Sequence, residues 1–141
     1  MTAQRREMFI NEGVQSSLRT QPLEKYFSLT GQRPKFCIPS TSLWRGYVGS
    51  WEVRDRRLYL VGIEGRADGG PVTLESLFPG YPERVFAHWY SGVLEAPEGE
   101  VLGFARHRYE LIQERERFLR VDRGVVVEEW VVHHQPEDVY E

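Results

Sequence analysis

The stretch from Phe118 to Val132 constrains the fold more than any other part of the chain. Two runs rich in valine and aromatic residues, Phe118 to Asp122 and Val125 to Val132, flank the polar turn Asp122-Arg123-Gly124. β-Branched and aromatic side chains suit a pleated, half-buried surface, so a hairpin is predicted. The same pattern recurs earlier, where Leu43 to Val53 (LWRGYVGSWEV) and Leu58 to Ile63 (LYLVGI) flank Arg54-Asp55-Arg56. Alternation along the first of these puts Leu43, Tyr47, Trp51 and Val53 on one face, with Arg45 among them. Arg84 to Leu94 (RVFAHWYSGVL) is apolar on both faces, which predicts a central, doubly covered strand.

Weaker signals fill in the rest. Met8 to Gly13 reads as a short strand followed by a polar stretch, and Pro22 opens a helical turn over Leu23 to Leu29. Thr73 is placed to cap a short helix through Leu77-Phe78 that Pro79-Gly80 stops. Gly65 to Pro71 reads as a loop, and Glu95 to Glu100, containing Pro97 and Gly99, as a turn. Phe104 to Arg117 fits both helical and alternating spacing, and strand is favoured. From about His133 the chain reads as a polar tail. The predicted architecture is mainly β: one domain over residues 1 to 141, with a curled or barrel-like antiparallel sheet and one or two short helices.

Composition removes several classes of function. With 18 basic and 21 acidic residues the formal charge is −3, so no net positive field draws the chain onto nucleic acid. No apolar run approaches the length of a membrane span, and the first ten residues do not form a signal peptide. A single cysteine, Cys37, excludes an internal disulfide and a thiolate zinc cluster, and suits a reducing compartment. A cytoplasmic protein is the expectation.

Residues able to carry chemistry are few. Tyr47 and Trp51 with Arg45 form an aromatic and cationic stripe able to stack a planar ligand or anchor a partner, although buried aromatics are more often packing. An arginine in an apolar stripe needs a carboxylate, and Glu52 or Glu64 is the expected partner. His88, beside Trp89 and Tyr90, is the best single histidine. His133 and His134 are adjacent and face opposite ways in a strand, and His107 lies between two arginines, so no metal site or cofactor is expected. Nucleophile and phosphate-loop signatures are missing, which turns the expectation from catalysis towards binding. The acidic residues Glu98, Glu100, Glu114, Glu116, Glu128 and Glu129 read as solvated, and as a surface for a basic partner.

Trp44-Arg45-Gly46-Tyr47 with Trp51-Glu52, then Leu58-Tyr59-Leu60, Leu77-Phe78-Pro79-Gly80 and Val85-Phe86-Ala87-x-Trp89-Tyr90-Ser91-Gly92, follow one another in order. This series resembles a group of small uncharacterised bacterial proteins sharing W-R-G-Y-x-x-x-W-E, L-Y-L, L-F-P-G and V-F-A-x-W-Y-S-G, over roughly Leu43 to Tyr109. The resemblance brings no assigned activity. Small acidic proteins of this look often serve as immunity partners of secreted bacterial toxins. It therefore suggests a protein-binding module that neutralises a basic toxin domain by association. The alternative from the residues is a small-molecule-binding barrel, or an enzyme, with its pocket near Arg45, Glu52 and His88.

Overall fold

Two-residue turns with both central residues at positive φ organise the chain: Glu12-Gly13, Asp55-Arg56, Asp68-Gly69 and Arg123-Gly124. This is the backbone of a type I′ turn, whose twist matches that of the paired strands it joins. The computed structural model describes residues 3 to 105 and 110 to 135. Its strands are β1 (Glu7–Asn11), β2 (Val14–Leu18), β3 (Tyr47–Arg54), β4 (Arg57–Ala67), β5 (Gly70–Pro71), β6 (Val85–Phe86), β7 (Gly92–Ala105), β8 (Glu110–Asp122) and β9 (Val125–His133). Helix is confined to α1 (Pro22–Thr30) and α2 (Leu74–Leu77). The mainly β reading with two short helices holds.

The strands form one mixed sheet in the order β2-β1-β3-β4-β9-β8-β7, with β5 and β6 pairing to β4 off that path. Pairing is antiparallel except that β1 runs parallel to β3. The sheet curls but does not close into a barrel. Its two ends approach each other where Arg19 N donates to Glu95 O at 2.8 Å and Glu95 N donates to Thr20 Oγ1 at 2.9 Å. The concave face encloses Phe9, Leu18, Trp51, Val53, Leu58, Leu60, Leu94 and Leu119, and Leu23 and Phe27 of α1 pack into the same core.

Several boundaries differ from expectation. β3 starts at Tyr47 because Leu43 to Gly46 closes a turn, with Gly46 N on Leu43 O at 3.1 Å and Gly46 at φ 84°. The stretch after Gly13 is a strand, since the Glu12-Gly13 turn folds β2 back on β1. Gly65 to Pro71 is the end of β4 and a small hairpin to β5. The predicted central strand Arg84 to Leu94 is split: β6 ends at Phe86, the chain turns through Ala87 to Tyr90, and β7 begins at Gly92. Residues 95 to 100 continue β7, where a bulge between Glu98 and Val101 absorbs Gly99 at φ 84°. Glu95 directs both its N–H and its C=O away from β8, so by alternation the nitrogen of Pro97 faces that side too and costs no ladder bond. Residues 110 to 117 are strand, as favoured. His133 still belongs to β9, so the strand outlasts the predicted start of the tail.

Gly124 combines a φ of 86° with crowding, because a Cβ there would lie 2.7 Å from the Phe86 ring. Gly124→Ala is therefore expected to destabilise by more than the roughly 1 kcal/mol that separates alanine from glycine by conformation alone. Thermal unfolding checks this, and an unchanged midpoint would contradict it.

Candidate functional site

β1 carries Glu7 and Phe9 on its buried face and Met8 on its exposed face. Glu7 is 0% exposed, so its carboxylate must be compensated from inside the core. Arg45 Nη2 donates to its Oε2 at 2.8 Å, Gly49 N donates to the same oxygen at 2.8 Å, and Trp51 Nε1 donates to Oε1 at 3.1 Å. The expected acidic partner of Arg45 is thus Glu7, not Glu52 or Glu64. Glu64 is exposed and approaches Arg5 at 4.0 Å, while Glu52 alternates with the buried Trp51 and Val53 and so faces the other side of β3. Burial pushes the Glu7 carboxyl above its usual range, against the pull of the Arg45 charge and the hydrogen bonds it accepts. All named partners are donors, which suits the ionised form.

Tyr47 continues this cluster outward. Its ring lies 5.5 Å from the Arg45 guanidinium carbon and its hydroxyl donates to Glu24 Oε2. Burial, followed by the bond to Glu24, raises its phenol well above the ordinary value. Arg33 closes the arrangement by donating from Nη1 to both Glu24 oxygens while lying over Phe27, Phe36 and Tyr47. Arg45, Tyr47 and Trp51 are therefore brought together, as the sequence proposed, but inside the core and around a carboxylate. Nε and Nη1 of Arg45 are buried and have no hydrogen-bond partner among the described residues.

His88 and Tyr90 lie elsewhere. Tyr90 is buried, which raises its phenol, and its hydroxyl reaches Val93 O at 3.4 Å. His88 is exposed in the turn after β6, not enclosed in a central strand. It lines a cleft of about 580 Å³ with Tyr26, Gln32, Phe78, Tyr81, Val85 and Phe86. Neither Arg45 nor Glu52 lines that cleft.

Local sequence explains the cleft. Pro22 starts α1 and Gly31, left-handed at φ 69°, ends it, which sets Tyr26 on the helix flank. Thr73 and Ser76 form the capping box that starts α2. Gly80 at φ 94° then turns the chain, so Tyr81 is 59% exposed. Tyr26, Phe78 and Trp89 pack with centroids 4.8 to 5.6 Å apart, Phe78 and Trp89 being stacked at 10°. Trp89 Nε1 is tied to Pro22 O at 3.0 Å, which locks this wall to α1. Phe86 is held from the other side by Tyr59, 5.8 Å away. The cleft thus has preset aromatic walls, with His88 and Gln32 as polar groups. Sequence reading missed Tyr26, Phe78 and Tyr81, although L-F-P-G and V-F-A-x-W-Y supply much of the wall.

The acidic residues are mostly engaged with arginine. Glu98 accepts from Arg115 at 3.0 Å and from Arg117 at 2.7 Å; Glu129 accepts from Arg117 at 2.7 Å and Glu128 from Arg120 at 2.8 Å. Partial burial alone would raise the Glu98 carboxyl, but the bonds from Arg117 and Arg115 hold it below the usual range. Glu114 accepts from Glu100 N at 2.7 Å. Glu116, expected in solvent, is 3% exposed and paired with Arg19 at 2.8 Å.

Among the described residues no group of three or more His, Cys, Asp or Glu is placed to hold a metal ion, and no helix is long and apolar enough to cross a membrane. His107 lies outside the described residues. A second cavity, of about 540 Å³, lies beside the exposed thiol of Cys37, with Arg5, Leu43, Ile63 and Arg66 among its walls. Compared with protein-family models, curated proteins and solved structures, the chain matches none.

Proposed function

We propose that this protein is a binding module whose recognition element is the cleft between α1, α2 and β6. Its ligand is a planar, largely apolar small molecule carrying a polar group for His88 or Gln32. The observation that carries this reading is the set of aromatic side chains, Tyr26, Phe78, Tyr81 and Phe86, converging on one cleft of about 580 Å³. That volume lies within the usual range for small-molecule sites, and aromatic faces reward a flat ligand by burial and stacking. Glu98 on β7 is held by Arg115 and Arg117, which leaves less bare acidic surface for capture of a basic partner. The exposed Cys37 thiol suits a reducing compartment, in keeping with a cytoplasmic site of action.

The test is titration with the fluorescent probe 1-anilinonaphthalene-8-sulfonate, followed on the native protein by fluorescence and by NMR shifts. Tyr81→Ala and His88→Ala are expected to weaken binding roughly tenfold each while leaving the melting temperature unchanged, since both side chains are exposed. Equal affinity in wild type and both variants would reject the cleft.

A protein partner of the immunity type is a second reading, favoured by one observation. Among the described residues no strand pairs with β8 before Glu114 on the β9 side, and there the β7–β8 ribbon exposes Val101, Phe104 and Leu111. Such a patch suits a partner's surface. Capture of a purified basic toxin domain lost on Phe104→Ser but retained in Tyr81→Ala would favour it.

A further inference from the structure

Among the described residues one edge of β9 is open. β9 meets β4 only at Val125 beside Arg57, with Val126 N donating to Arg56 O at 2.7 Å, and beyond Val126 no described strand pairs with that side. On the other side His134 N donates to Glu114 O at 2.8 Å, in the register that pairs Val132 with Glu116 and Trp130 with Phe118. Strand alternation then turns the N–H and C=O of Glu129, Val131 and His133 outward. An open strand of this kind is a template for another strand.

The residues along this edge read Glu128-Glu129-Trp130-Val131-Val132-His133-His134. The order is symmetric in charge type about Val131: carboxylates lie two and three positions before it, imidazoles two and three positions after. An antiparallel strand centred on the same residue would face Glu129 with His133, Glu128 with His134 and Trp130 with Val132, while Val131 meets its own copy. A register centred on Glu129 would set that carboxylate against its own copy, and one centred on Trp130 or Val132 would face no carboxylate with an imidazole. The complementary strand is therefore β9 itself.

We propose that the protein forms a two-fold dimer by antiparallel pairing of the open β9 edges about Val131. Arg117 at 2.7 Å and Arg56 at 3.6 Å hold the Glu129 carboxylate in place beside the edge. Glu128 is held by Arg120 at 2.8 Å. His133 is exposed, opposite Arg115 in the β8–β9 register, and offers a ring N–H to the carboxylate of the second copy. His134 lies near Glu116, at 3.9 Å, and flanks the pairing. Paired carboxylates on an edge strand also serve to repel other chains. The matching histidines distinguish the two roles, since only self-pairing uses them.

Sedimentation equilibrium and native mass spectrometry on the full chain test the pairing. Wild type is expected to dimerise with rising concentration. His133→Glu sets carboxylate against carboxylate twice across the axis and is expected to weaken the dimer roughly tenfold or more. Glu129→His alone is expected to weaken it as well. An equimolar mixture of these two variants restores complementary pairs and is expected to give a heterodimer. Val131→Pro removes an outward N–H without touching the bonds to β8 and is expected to abolish pairing, with circular dichroism checking that the fold persists.

A register test is independent of charge. Directly opposed, hydrogen-bonded residues sit about 5.5 Å apart, within disulfide reach. In a Cys37→Ser background, Val131→Cys is expected to form a covalent dimer on mild oxidation and Val127→Cys is not. A monomer at the highest soluble concentration, or a dimer unaffected by His133→Glu and Val131→Pro, overturns the proposal.

Discussion

Glu7→Ala is expected to destabilise the protein by about 3–5 kcal/mol, the usual cost of stranding one member of a buried ion pair. Arg45 makes the loss hard to relieve. It is 8% exposed, its Nε and Nη1 already have no partner among the described residues, and Nη2 donates to Glu7. Without the carboxylate, the N–H groups of Gly49 and the Trp51 indole also lose their acceptor. Space around the carboxylate is filled: a Cβ on Gly49 would come within 2.6 Å of Glu7 Oε1 and 2.8 Å of Trp51 Nε1. Urea unfolding of Glu7→Ala, Arg45→Met and the double variant measures the effect. The double variant is expected to regain much of what either single change loses, because no charge remains buried alone. A loss below about 1 kcal/mol for Glu7→Ala would show that water reaches this pair.

The same cluster shows how far the sequence was legible. That Arg45 needs a carboxylate followed from its place in an apolar stripe, but the choice of Glu52 or Glu64 assumed a partner within the adjacent hairpin. The actual partner lies on β1, brought beside β3 by a parallel pairing that no local pattern encodes. One signal was present: in Glu7-Met8-Phe9, period-two alternation puts Glu7 on the face of Phe9, so starting the strand one residue earlier would have exposed a buried acid. The hairpins at Asp55-Arg56 and Arg123-Gly124 were legible because β-branched and aromatic runs flank their polar turns, whereas Asp68-Gly69 was read as a loop because β5 is only two residues long. The Glu12-Gly13 turn was missed because β2, Val-Gln-Ser-Ser-Leu, is too polar to read as a strand. Pro97 and Gly99 read as turn formers, yet they sit at an edge position and a bulge, where a strand tolerates both.

The cleft shows a different limit. Tyr26, Phe78 and Phe86 come from three separate elements, and no spacing in sequence predicts that their rings meet. His88 was singled out as a residue of a central strand, whereas its relevance comes from the break after β6 that exposes it. Aromatic composition announced many rings but not which of them face outward.

Arg19→Ala carries the second large expected effect, and it bears on function because Glu116 was first read as part of a solvent-facing acidic surface. Arg19 donates to Glu116 Oε1 from Nε at 3.2 Å and from Nη2 at 2.8 Å, and its Nε also lies 3.5 Å from Glu95 Oε1. Glu116 Oε2 has no hydrogen-bond partner among the described residues, so the carboxylate depends heavily on this arginine. Truncating Arg19 leaves a buried charge poorly compensated, at an expected cost of about 3–5 kcal/mol. It also removes a side chain that bridges the two ends of the sheet, from Arg19 to Glu116 and Glu95. Arg19→Ala with Glu116→Leu is expected to recover most of that loss, whereas Arg19→Ala with Glu128→Leu is not, since exposed Glu128 belongs to a separate pair with Arg120. Thermal unfolding of the three variants separates these outcomes. Glu116→Lys, made to probe capture of a basic partner, would set two cations together in a buried site. Any lost capture in that variant then reports unfolding, and the clean charge-reversal probe is Glu128.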